Sequence, residues 1–167
     1  MSANSSSRVW NVLFLCTGNS ARSILAEAAL ARLGPPHYRA LSAGSAPKSA
    51  PHPVAIETLK GLGYDTDGFR SKSWDEFARP DAPSLDLIFT VCGNAADEVC
   101  PVWPGHPMTI HWGVEDPAAA VGSEESVRAF FRKIYDELLA KVESLVEIDP
   151  NGINREALRD RLDAIGR

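Results

Sequence analysis

The chain has 167 residues, 44% hydrophobic and 23% charged, with a formal charge of −5 and a pI near 5.3. That length supports one self-sufficient core, and the acidic balance excludes the basic footprint of a nucleic-acid binder. No run is long and apolar enough for a membrane span, and an anion bound by such a chain must be held by local donors in a pocket.

Residues 1–8, MSANSSSR, are polar and expected to form a disordered tail, with residues 9–167 making a single domain. Residues 11–16 read as a buried strand, apolar on both faces and followed by a glycine-containing loop. The pattern turns helical over 20–33, where Ile24, Leu25, Ala28 and Leu33 form the apolar face and Gly34-Pro35-Pro36 stops it. A second strand is expected at 38–42, ended by Ala43-Gly44, and a proline-rich loop covers 47–53. Residues 54–62 are helical with Gly63 as the stop, and 73–77 make a single turn begun by a serine cap.

Residues 86–92, DLIFTVC, are the second strongest strand, and a loop through Pro101, Pro104 and Pro107 leads to a fourth at 108–112. Residues 113–122 are loop. Over 124–146, Val127, Phe130, Phe131, Ile134, Leu138 and Val142 recur at helical spacing. Asn151-Gly152 breaks the chain before a last amphipathic helix at 154–165. Strands alternating with helices imply an α/β three-layer sandwich around a central four-stranded parallel sheet. Ligands of such sheets sit outside the carboxyl ends of the strands. Cys16 and Cys92 each end a predicted strand, so both thiols belong to one rim.

The stretch C-T-G-N-S-A-R-S at 16–23 carries the chemistry. A thiol at a helix N-terminus and beside an arginine has its pKa drawn from ~8.5 to within ~3.5–7.5, giving a thiolate at neutral pH. The amides of Thr17, Gly18, Asn19, Ser20 and Ala21, with the helix dipole, favour an oxyanion at the same point. Gly18 permits close approach, and Asn19 tolerates left-handed geometry. Arg22 offers a planar fork to two oxygens, and Ser23 can donate to the sulfur. The bland reading is a strand-end cysteine before a helix that contains arginine; the glycine, asparagine and serine between and after them favour the anion loop.

Three cysteines are an odd number in a chain with its own core, which argues against a disulfide framework and for a reducing, cytoplasmic setting. Cys92 and Cys100 read either as buried thiols or as redox partners of a nucleophile on the same rim. Asp116 before Pro117 is either a turn or a proton donor. The four histidines and three cysteines show no zinc spacing, and His111-Trp112 reads as structural.

C-T-G-N-S-A-R-S resembles the active-site loop of the low-molecular-weight protein tyrosine phosphatase family, whose fold is flavodoxin-like. SAG at 42–44, FTVCGNAADEVCPVWPG at 89–105 and HWGVEDPA at 111–118 resemble the arsenate reductases built on that fold. The resemblance implies an enzyme that converts arsenate to arsenite in arsenic detoxification. It implies Cys16 as nucleophile, Arg22 as oxyanion clamp and Asp116 as proton donor. It further implies that Cys92 attacks Cys16 and that Cys100 then pairs with Cys92. No tightly bound cofactor is implied; an external thiol reductant, thioredoxin or glutathione with glutaredoxin, would recycle the disulfide. Membrane and nucleic acid are not among the expected partners.

Were 92–100 one helix, its two cysteines would lie ~12 Å apart along the axis, whereas a disulfide needs Cα atoms within ~4.4–6.8 Å. A looped or rearranging segment is therefore expected over 93–107. Some thioredoxin-linked relatives bind potassium beneath the loop, and Asn19, Glu27 and Ser42 match part of that site; the bland alternative puts Glu27 on an exposed helix face. Two departures are informative. Ala118 and Ala119 follow the Asp-Pro where phosphatases carry an aromatic residue, which fits a small inorganic oxyanion. Ala21 stands where many relatives have a cysteine, leaving Cys92 and Cys100 as resolving thiols. The rival readings are a phosphatase acting through a cysteinyl-phosphate and a non-catalytic oxyanion sensor.

Overall fold

A computed structural model describes residues 8–91 and 107–166. Its four strands, β1 (Trp10–Cys16), β2 (Tyr38–Gly44), β3 (Leu87–Thr90) and β4 (Met108–His111), form one parallel sheet in the order β2-β1-β3-β4. The expected α/β architecture is the one formed. Strand order reverses beside β1, so its carboxyl end opens into the crevice where sheets of this class bind ligands.

The alternation of side chains along β1 divides the core. Val12, Phe14 and Cys16 face the larger cluster, built with α1 (Arg22–Leu33), α2 (Pro53–Gly61), α3 (Glu124–Val146) and α4 (Arg155–Gly166). Leu13 and Leu15 face a smaller cluster with Ala43, Phe77, Leu85 and Ile88. Among the described residues that second face is covered by the 3-10 turn Trp74–Phe77 and its flanks, where Ser73 accepts from the Asp75 amide as the expected cap.

Element ends differ from expectation where the site is built. The helix predicted from residue 20 begins at Arg22, because Asn19 takes a left-handed φ of 45° and keeps the chain in a loop. β2 runs two residues past its predicted end, since Ala43 and Gly44 pair with Leu15 and Cys16. α2 starts one residue early on Pro53, with the His52 ring accepting from the Val54 amide. The strand predicted over 86–92 ends at Thr90, and Cys92 lies outside the described residues. Of the expected tail, Arg8 is among the described residues and is held: its guanidinium sits 2.8 Å from Asp86 and 4.6 Å from the Trp10 ring centre.

The last helix closes the β4 edge. Trp112 is fully buried, stacks on Phe89 with ring centres 3.8 Å apart, and donates its indole N–H to the Leu162 carbonyl at 2.9 Å. This agrees with the structural reading of Trp112. His111 accordingly bonds Thr90 through its ring, 2.7 Å away. Trp112→Phe loses the indole bond and part of the packing, and is expected to cost about 1–3 kcal/mol, visible as a drop of several degrees in thermal unfolding.

Candidate active site

Cys16 is the last residue of β1 and 3% exposed. Its Sγ lies 3.0 Å from the Ser23 hydroxyl on the first turn of α1. Buried Asn19 donates from Nδ2 to that hydroxyl at 2.7 Å and to Ser42 Oγ at 3.0 Å. Since Ser23 Oγ accepts from Asn19, its own hydrogen is left to point at the sulfur, an arrangement that favours the thiolate.

The direction of the loop peptides follows from where their carbonyls go. Those of Cys16, Thr17, Gly18 and Ser20 accept from the amides of Ser45, Ala46, Lys48 and His52. That of Asn19 accepts from Ser71 Oγ at 2.6 Å. In a trans peptide the N–H points opposite to its carbonyl, so the amides of Thr17 through Ala21 face the other way, as the anion-loop reading requires. Ala21, at the start of α1, supplies no side-chain cap to the first-turn amides. Gly44 makes this apposition possible: a Cβ there would lie 2.5 Å from the Thr17 carbonyl oxygen.

Arg22 opens α1 and bridges the site. It donates to the Val114 carbonyl at 3.1 Å, and its other terminal nitrogen is 3.5 Å from Asp116 Oδ2. Asp116 also accepts from the Ala118 amide at 2.9 Å, capping the 3-10 turn Pro117–Ala119. The Asp-Pro is thus a turn and a member of the site at once. A cavity of about 250 Å³ has Cys16, Arg22, Lys48 and Asp116 among its lining residues. Small side chains, Ala46 and Ala118, line it as well, and no aromatic ring is among the described lining residues.

Lys48 escaped the sequence reading. It sits in a proline-rich loop with no local signal, and reaches the pocket because its amide is bonded to the Gly18 carbonyl. Gly18 leaves room for its stem, since a Cβ there would stand 3.3 Å from Lys48 Cε. Arg22→Lys removes the planar fork that serves Val114 and Asp116 together. It is expected to lower kcat/KM about 10²–10³-fold in steady-state kinetics.

The potassium expectation is corrected. Asn19, Glu27 and Ser42 do come together, with Ser42 Oγ donating to Glu27 at 2.5 Å, so Glu27 is not on a solvated face. The cation among their oxygens is the chain's own. Lys72 Nζ lies 2.9 Å from the Ser42 carbonyl, 3.2 Å from Ser42 Oγ and 3.4 Å from Asn19 Oδ1. A potassium ion does not fit beside an ammonium that already holds these donors. Burial raises the Glu27 pKa against the opposing pull of Lys72, and burial lowers that of Lys72 against the pull of Glu27. Among the described residues no group of three His, Cys, Asp or Glu side chains could hold a metal.

Cys92 and Cys100 lie outside the described residues, as does all but the last residue of the segment expected to be looped or rearranging over 93–107. The last described residue before Cys92 is Val91, whose amide donates at 2.9 Å to the carbonyl of Leu15, the neighbour of Cys16.

A family model described as low molecular weight phosphotyrosine protein phosphatase matches residues 11–159. The arsenate reductase of Bacillus subtilis (strain 168) is 37% identical over 136 residues, spanning 81% of this chain and 94% of the relative. A solved arsenate reductase in the phosphate binding state superposes with a TM-score of 0.64 at 26% identity, covering 83% of this chain and 98% of that one. A thioredoxin-dependent arsenate reductase of Corynebacterium glutamicum shares the fold, with a TM-score of 0.63 at 23% identity over 88% of this chain and 65% of its own length.

Proposed function

Because the chain belongs to the low molecular weight phosphotyrosine protein phosphatase family, and within it to the arsenate reductases, we propose that it reduces arsenate to arsenite through a relay of Cys16, Cys92 and Cys100. The observation that carries this reading is the pocket itself. Its residues put a thiol, a guanidinium and an ammonium around a space walled by alanines, which suits a tetrahedral dianion without an aryl group.

The Cys16 thiolate attacks arsenic, and the departing oxygen leaves as water after taking a proton from Asp116. Loop amides, Arg22 and Lys48 hold the remaining oxygens. The Cys92 thiolate then attacks the Cys16 sulfur. As the S–As bond breaks, its electron pair passes to arsenic, which leaves as arsenite while a Cys16–Cys92 disulfide forms. Cys100 attacks Cys92, freeing Cys16, and the Cys92–Cys100 disulfide awaits an external reductant. Thioredoxin and glutathione with glutaredoxin both supply that chemistry, and thioredoxin is the one named for the Corynebacterium relative. Such recycling belongs in a reducing compartment such as the cytoplasm.

A second reading, hydrolysis of small phosphate esters, is favoured by the complete Cys16, Arg22 and Asp116 set, because arsenate and phosphate share shape and charge. A pure oxyanion sensor has no use for a thiol at the floor of the pocket. The deciding experiment is to incubate reduced protein with arsenate and map disulfides by mass spectrometry. The relay requires an arsenate-dependent loss of two hydrogens located at Cys92–Cys100; unchanged thiols with brisk aryl phosphate hydrolysis would transfer the assignment to a phosphatase.

A further inference from the structure

Behind the anion loop, three separate segments direct oxygens at one nitrogen. β2 supplies the Ser42 carbonyl and hydroxyl, the loop supplies Asn19 Oδ1, and the chain before Lys72 supplies the Arg70 carbonyl at 2.9 Å. The Glu27 carboxylate stands one hydrogen bond behind, through Ser42 Oγ. Carbonyl, hydroxyl and amide oxygens backed by a carboxylate are the donor set of a hard monovalent cation. Lys72, 9% exposed, delivers an ammonium into that set.

We propose that Lys72 is the permanent cation of the anion loop, a positioning residue that makes oxyanion binding independent of potassium. The inference rests on the oxyanion reading of the loop. The ammonium and the Lys72 amide both bond Asn19 Oδ1, which fixes the amide plane and sends Nδ2 to Ser23 and Ser42. Ser23 in turn meets Cys16. A cation tethered covalently cannot dissociate, so its order does not depend on the ionic medium. Removing it leaves converging oxygens and a half-buried carboxylate without its main counter-charge, a costly state that a diffusible ion of similar size relieves.

The test uses the reduced full chain and inorganic phosphate as the probe, by calorimetry at constant ionic strength in potassium chloride or N-methylglucamine chloride. The wild-type affinity is expected to stay within about twofold between the two salts, while Lys72→Ala loses at least about tenfold in glucamine and recovers most of it in potassium. Lys72→Met, whose stem fills the space without charge, should lose affinity and not recover. Should Lys72→Ala be too unstable to titrate, its melting temperature serves: potassium raises it and glucamine does not. A wild-type affinity that responds to potassium overturns the proposal, as does a Lys72→Ala protein indifferent to it. A wild-type chain that binds no phosphate would instead sink the oxyanion reading, and the melting temperature of Lys72→Ala still decides the cation.

Discussion

Cys16→Ser is expected to abolish turnover of arsenate and of aryl phosphates, by at least about 10⁴-fold, while phosphate still binds. The two side chains are close in size, and the hydroxyl can keep the contact that Sγ makes with Ser23 at 3.0 Å. What is lost is the nucleophile, since a serine hydroxyl does not ionise near neutral pH as a thiol at a helix N-terminus does. Binding should survive because the donors proposed for it, the loop amides, Arg22 and the Lys48 ammonium, are unchanged, and Arg22 and Lys48 line the pocket with Cys16. Removing a thiolate also removes a negative charge from beneath a dianion, so affinity should hold or improve. Calorimetry with phosphate beside single-turnover kinetics checks both halves. Residual turnover within a hundredfold of wild type would mean that a different group performs the first attack.

Cys92→Ser should separate the two chemistries that the pocket supports. Arsenate reduction with an external dithiol is expected to fall by more than about 10³-fold, because the variant lacks the thiolate proposed to attack the Cys16 sulfur from within the chain and draw the S–As electron pair onto arsenic. Without that attack, water returns the adduct to arsenate and no net reduction occurs. Hydrolysis of p-nitrophenyl phosphate should stay within about twofold, since the proposed hydrolysis uses Cys16, Arg22 and Asp116 and has no step for Cys92. Val91, the residue before Cys92, donates its amide to the carbonyl of Leu15, the residue before Cys16, at 2.9 Å. Equal losses in both reactions would instead assign Cys92 to the fold.

The acid side of the pocket carries a dependence that both experiments share. Asp116 is 42% exposed in its side chain and bonded at once to the Ala118 amide and, across 3.5 Å, to Arg22. Its neighbours therefore hold the carboxylate in place, and substitutions at Arg22 will disturb Asp116 as well. Kinetic effects at these two positions should not add.

What could be read from the sequence was what is local. A buried apolar strand, a glycine-asparagine loop and a following helix lie within two dozen residues of one another, and the backbone preferences of those residues alone dictate strand, left-handed turn and helix. Hence Cys16, its loop and Arg22 stood out together, with Asp116 added once its Asp-Pro was read with the loop and the family resemblance, and all of them line one pocket. The boundaries moved where distant chain intervened: Gly44 extends β2 because a backbone oxygen of the anion loop leaves no space for a side chain there.

The sequence by itself determined that a thiol would stand at the mouth of a parallel sheet before an anion-binding turn, because that geometry is written in consecutive residues. Only the tertiary structure decided which cations surround it. Lys48 reaches the pocket through a hydrogen bond to Gly18, and Lys72 enters an oxygen cage assembled from β2, the loop and the segment at Arg70. Each depends on chain segments more than twenty residues apart meeting at one point, and a charge's partner across such a distance is set by packing that no local pattern encodes.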